Sequence, residues 1–122
     1  MADVIQEWSE KPFAYGTADC CQFAGALVEA FHGYNPMARF AYSDEADAQG
    51  ILDAYGSLGA AMRSVLGEPI PVDSAMDGDA LLLVDKAGRE FAGVVVDGKA
   101  AIRLKEQPRL VDLGMARLAW AT

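Results

Sequence analysis

The chain is poor in histidine, cysteine and positive charge. Its 122 residues include one histidine, two cysteines and ten lysines and arginines against 18 acidic residues, which gives a net charge of -8. Nucleic-acid affinity comes largely from basic side chains that neutralise phosphates, so this balance argues against a nucleic-acid partner. It also disfavours binding to an anionic membrane surface. Two adjacent cysteines and His32 do not supply four zinc ligands, and we predict no metal site and no cofactor.

Long hydrophobic runs are also missing. No segment approaches the roughly 18 apolar residues that a membrane-spanning helix needs. Residues 1–8 lack the basic and apolar regions of a secretory leader, so we expect neither membrane insertion nor secretion by this route. The apolar fraction of 52% and the chain length predict one packed domain over residues 1–122. Because a disulfide between neighbouring residues is strained, the thiols of Cys20 and Cys21 are expected to stay reduced.

The periodicity of apolar residues changes from helical to strand-like along the chain. The predicted helices cover residues 2–10, 20–32, a segment capped by Ser43 that stops at Gly56, and a segment capped by Ser57 that stops at Gly67. The predicted strands cover residues 80–84, 90–96, 99–104 and 116–120. Helices followed by a β-meander indicate an α+β domain, with the N-terminal helices packed on a C-terminal antiparallel sheet. Asp77 and Asp79 are interpreted as a solvated turn between these halves.

Cys20 follows Asp19 at the predicted start of the best-defined helix. Asp19 is a suitable N-cap, and the unpaired N–H groups of a first helical turn favour an ionised thiol, which is the nucleophilic form. This placement is typical of an attacking cysteine. The alternative is that Cys20 and Cys21 are small apolar residues packed beneath a turn.

Several segments resemble NlpC-type cell-wall peptidases. The resembling segments are Trp8, Pro12-Phe13-Ala14-Tyr15-Gly16, Asp19-Cys20, Gly78-Asp79-Ala80-Leu81-Leu82-Leu83 and Phe91-Ala92-Gly93-Val94-Val95-Val96. The whole chain is similar to a family of small phage and prophage proteins of this superfamily. These share Pro-Phe-x-x-Gly-x-x-Asp-Cys-Cys, a helix ending near Gly-x-x-Pro, a Gly-Asp strand and a closing Ala-Trp, here Ala119-Trp120.

This resemblance implies a papain-like, NlpC-type fold, with Cys20 at the position of the nucleophile. It implies that Tyr15, Asp19 and Phe91 line the cleft. In active members of the superfamily the strand that matches Phe91 begins with the catalytic histidine, and phenylalanine cannot accept a proton. His32 lies twelve residues after Cys20, which is about 18 Å along a helix and far beyond the roughly 3 Å that a general base requires.

Three functions follow as expectations. The first is a phage tail-tip or tail-assembly component with a degenerate peptidase fold, located in the virion tail or in the host cytoplasm before assembly, with other tail-tip proteins as partners. The second is an active peptidoglycan endopeptidase that uses Cys20 with a base supplied from elsewhere. The third is a module that holds a peptide in the vestigial cleft.

Overall fold

A computed structural model of the chain describes residues 2–10, 20–38, 42, 44–103 and 108–122. Four helices precede a five-stranded antiparallel sheet, which confirms the predicted α+β class and the order of its two halves. The helices are α1 (Ala2–Ser9), α2 (Cys20–His32), α3 (Glu45–Tyr55) and α4 (Leu58–Leu66). The strands are β1 (Ala80–Val84), β2 (Glu90–Val96), β3 (Lys99–Arg103), β4 (Pro108–Val111) and β5 (Ala116–Trp120). Within the described ranges no helix has the length and apolarity needed to cross a membrane.

The helix starts follow from side-chain caps. Ser57 caps α4 as predicted, because its hydroxyl accepts the Ala60 N–H at 3.1 Å. The predicted cap of α3 was wrong, since Asp44 and not Ser43 precedes the helix and accepts the Asp47 N–H at 2.8 Å. Ser43 itself lies outside the described residues. Both residue types cap helices equally well, so the sequence leaves the choice between neighbours open.

The sheet contains one strand that the sequence did not predict. Its order is β4-β3-β2-β1-β5, and β4 pairs with β3 from Ala100↔Val111 to Arg103↔Pro108. Pro108 led us to expect an interruption in this region. A proline is tolerated as the first residue of a strand at the sheet edge, and Pro108 occupies that position.

The two faces of the sheet carry different layers. The helical layer packs on one face, where α2 contacts β2 and β3 and buries Phe23, Ala24, Leu27 and Val28. The strand residues on this face alternate with those of the other face, as a pleated sheet requires. The helix-facing strand residues are Ala80, Leu82, Ala92, Val94, Val96, Ala101 and Trp120. The opposite face carries Leu81, Leu83, Val95, Ala100, Ile102, Ala116 and Ala119 beneath the segment around Ile70–Ala75.

The turn before β1, which we interpreted as solvated, is solvated at only one of its two aspartates. Asp77 is exposed and accepts the N–H groups of Asp97 and Gly98 at 3.1 and 3.2 Å. Asp79 is buried, and its carboxylate accepts the N–H groups of Met76 at 3.0 Å and Thr122 at 3.1 Å. The interpretation therefore holds for Asp77 and was wrong for Asp79, whose partner at residue 122 is remote in sequence.

Candidate functional site

An open cavity of about 1090 Å³ lies at the N-terminal end of α2. Its wall combines the first turn of α2, the middle of α3, the start of α4 and the β1–β2 hairpin. The pairing of β2 with β3 covers only Val94–Val96 and Lys99–Ala101. The start of β2 and the end of β3 lie beyond that ladder and also line the cavity. The cavity therefore lies where β2 and β3 are no longer paired with each other.

Cys20 is the first residue of α2 and lines this cavity together with Cys21. Both side chains are half-buried, and their sulfur atoms lie 4.0 Å apart, so the pair is not disulfide-bonded. Tyr15 and Asp19, which the resemblance assigns to the cleft, lie outside the described residues. The helix thus begins at Cys20, as the sequence predicted, and the Cys20 side chain lines the cavity.

Phe91 borders the cavity but does not face α2. It pairs with Leu83 and packs in the cluster on the opposite side of the sheet. Its neighbour Glu90 lies on the helix-facing side, since Ala92 is buried there beneath the helical layer. The register therefore turns Glu90 towards the helices and Phe91 away from them.

His32 lies at the other end of α2 and is exposed. Its Nε2 atom is 3.1 Å from the Gly78 carbonyl oxygen, next to the buried Asp79. Cys20 and His32 are the first and last of the thirteen residues of α2, so the length of the helix separates them. The predicted assignment of His32 to the helix end is confirmed, and the chain's only histidine has no access to the sulfur at Cys20.

The Glu90 carboxylate binds the start of α4. Its Oε1 atom accepts the N–H of Leu58 at 3.1 Å and that of Gly59 at 3.5 Å. These donors are among the N–H groups that a first helical turn leaves unpaired, and a negative charge there is favourable. Gly59 permits this approach, because a Cβ atom at that position would lie 3.4 Å from Oε2 and 3.0 Å from a Leu82 methyl carbon. Glu90 therefore joins the hairpin to α4 and closes one side of the cavity.

Replacing Glu90 with Ala should lower the free energy of unfolding by about 0.5–2 kcal/mol, the usual cost of a lost helix cap. Glu90→Gln keeps an acceptor oxygen and loses only the charge, so its cost should be about 0.3–1 kcal/mol. Urea denaturation of both variants measures the difference. Equal stability of wild type and Glu90→Ala would contradict the capping role.

Arg103 is a buried cation that no sequence pattern predicted. It is 1% exposed, lines the cavity and donates from its guanidinium to the Trp8 carbonyl oxygen of α1. Burial lowers the pKa of the Arg103 guanidinium, because desolvation disfavours the charged form. An arginine at the end of a short strand normally points to solvent. Here it is internal and joins the end of β3 to α1 through the Trp8 carbonyl oxygen.

Two oppositely charged residues, Asp85 and Arg89, lie at the rim of the cavity in the β1–β2 turn. The Asp85 carboxylate accepts the N–H groups of Ala87 at 2.8 Å and Arg89 at 2.9 Å, and it binds the Arg89 side chain at 3.0 Å. The hydrogen bond from the Arg89 backbone is the main reason that the pKa of Asp85 lies below its usual value. These bonds fix the hairpin turn and so the position of Glu90 that follows it.

The cavity contains two thiols, and most of the surrounding wall is apolar. Across the described part of the chain, no three or more histidine, cysteine, aspartate or glutamate side chains cluster closely enough to hold a metal ion. Cys20 begins α2 at the cavity, while Phe91 faces away and Glu90 is bound to α4. The chain's one histidine, His32, lies at the opposite end of α2 from the Cys20 sulfur.

Comparison with known proteins identifies a family and adds no activity. No curated protein matches the sequence. One family profile, described as a domain of unknown function, matches residues 1–122. The chain therefore belongs to the family DUF6950 over its whole length.

Proposed function

We propose that the protein is a phage tail-tip or tail-assembly component with a papain-like, NlpC-type fold and no peptidase activity of its own. The main observation that supports this proposal is that the Cys20 thiol and the chain's one histidine lie at opposite ends of α2. Cys20 begins α2 within the cavity, whereas His32 ends the same helix and contacts Gly78. A cysteine peptidase needs its base within about 3 Å of the sulfur.

The cavity supports a binding role for such a component. It is large enough for several side chains of a partner, since ligand pockets commonly measure about 300–1,000 Å³, and this one measures about 1090 Å³. Its wall is mostly apolar with a few charged groups, including Arg103 and Glu90. We infer that an extended segment of another tail protein occupies it. The assignment to a phage tail rests on the resemblance of the whole chain to small phage and prophage proteins.

The proposal is tested by following the tagged protein during particle assembly. We expect it to co-purify with other tail-tip proteins and to be present in tail intermediates. Purified protein should leave muropeptides uncleaved, and Cys20→Ala should behave as wild type in that assay. Muropeptide cleavage that disappears in Cys20→Ala would establish the endopeptidase alternative instead. Absence of the protein from all tail intermediates would contradict the structural role.

Introducing the missing histidine offers a sharper test of the geometry. Phe91→His restores the residue that active members of the superfamily carry at the matching position. We expect no hydrolysis of muropeptides, because the side chain at 91 packs on the face opposite α2. The matched control is Phe91→Leu, which should differ only in packing. Hydrolysis by Phe91→His that depends on Cys20 would show that position 91 reaches the sulfur, contrary to the observed strand register.

A further inference from the structure

Sulfur atoms are concentrated around one cavity. The chain has two cysteines and five methionines, and the cavity is lined by both cysteines and by Met37, Met62 and Met115. Met37 and Met62 are at most 2% exposed and belong to the core cluster against which Cys21 packs. Methionine commonly fills irregular gaps in cores. Gap filling explains the presence of each methionine by itself. It does not explain why both thiols line the same cavity as these methionines.

The two thiols are spaced for one bridging atom and not for a bond to each other. Their sulfur atoms are 4.0 Å apart, whereas a disulfide requires about 2.05 Å and Cα atoms at least about 4.4 Å apart. Adjacent Cα atoms are fixed at about 3.8 Å. Two metal–sulfur bonds of about 2.3 Å, the length in zinc thiolates, together span up to about 4.6 Å. The pair can therefore hold one ion with small side-chain adjustments.

The available donors select the kind of ion. Zinc in a structural site takes four ligands, and the described residues offer no cluster of three or more histidine, cysteine and carboxylate side chains. Thiolate and thioether ligands favour Cu(I), which is soft. The carboxylates and carbonyls that magnesium, calcium and manganese prefer are a different donor set.

We propose that Cys20 and Cys21 chelate one Cu(I) ion, with a methionine thioether of the cavity wall, from Met37 or Met62, as the third ligand. Binding releases the two thiol protons and forms two copper–sulfur bonds, so that one Cu(I) and two thiols give an anionic bis-thiolate complex and two protons. No electron is transferred in this step. The proposal is independent of the tail role, and either can fail without the other.

The test is an anaerobic competition for Cu(I) between the purified chain and a chromophoric Cu(I) chelator. We expect one Cu(I) per chain, and Cys20→Ser combined with Cys21→Ser should weaken binding by more than the ~10–100-fold that loss of an outer-shell partner costs. Met37→Leu and Met62→Leu conserve volume, and one of them should weaken binding about tenfold. Met76→Leu is the matched control, because Met76 is 71% exposed and lies in the turn before Gly78. It should bind as wild type.

Two results would overturn the proposal. One is failure of the wild-type chain to take Cu(I) from the chelator, and the other is equal affinity of the double serine variant. Unchanged affinity in both Met37→Leu and Met62→Leu would overturn the assignment of the third ligand. Should the double serine variant not fold, the wild type supplies a second measurement by mass spectrometry. One equivalent of Cu(I) should protect both thiols from alkylation, and unprotected thiols would refute the chelate.

Discussion

Replacing Trp120 with Ala should lower the free energy of unfolding by about 3–5 kcal/mol, the usual cost of truncating a large core aromatic residue. Trp120 is fully buried at the end of β5 and faces the helical layer. Its indole N–H also donates to the Gly67 carbonyl oxygen at 2.9 Å, directly after α4. The substitution therefore opens a cavity and leaves a carbonyl group without its donor. Domains of this size have total stabilities of about 5–15 kcal/mol, so the variant should be close to unfolding.

Trp120→Phe separates the two contributions. It retains most of the buried aromatic volume and removes the indole donor, for which we expect a loss of about 1–3 kcal/mol. Met76→Ala serves as a surface control and should stay within about 0.5 kcal/mol of wild type, because Met76 is 71% exposed. Chemical denaturation followed by circular dichroism gives all three values. A loss below about 1 kcal/mol for Trp120→Ala would show that β5 does not close this core.

The parts of the fold that the sequence predicted are those determined by local patterns. The bounds of α2 follow from an apolar stripe of period 3.6 and from Gly33 after its last residue, which has the positive φ of 85° that glycine favours. The β2–β3 hairpin follows from Asp97-Gly98, where both residues have positive φ. The position of Cys20 at a helix start depends on the same local information and was confirmed.

The remaining features depend on partners that are distant in the chain. Glu90 caps a helix that begins 32 residues earlier, and Asp79 binds the backbone 43 residues later. Arg103 is internal and donates to the Trp8 carbonyl oxygen, 95 residues away along the chain. The face of Phe91 is determined by the register with Leu83 and by which side the helices cover. No periodicity in the sequence reports these contacts, and Glu90, Phe91 and Arg103 all line the cavity.

Two helical glycines should respond to alanine in opposite directions. Gly25 is buried in α2, and a Cβ atom there would lie 2.2 Å from the Asn35 Oδ1 atom and 3.0 Å from the Met37 Cβ atom. The Asn35 oxygen is not free to move away without loss, since it accepts the Met37 N–H at 2.9 Å. Gly50 is exposed in α3, and a Cβ atom there would meet no atom within 4 Å. Both glycines therefore lie in helices, but only Gly50 has room for an added methyl group.

Gly25→Ala should destabilise the protein by about 1–3 kcal/mol, because the overlap with Asn35 and Met37 exceeds the gain in helix propensity of about 1 kcal/mol. Gly50→Ala gains helix propensity without a steric overlap, so it should stabilise the protein by about 0.4–1 kcal/mol. Thermal and urea denaturation of the pair measures both signs. Adding Asn35→Ala to Gly25→Ala removes the nearest overlapping atom, so the double variant should lose less stability than the two single losses combined. Stabilisation by Gly25→Ala would mean that the loop carrying Asn35 and Met37 does not pack against α2, and that wall of the cavity would then be absent.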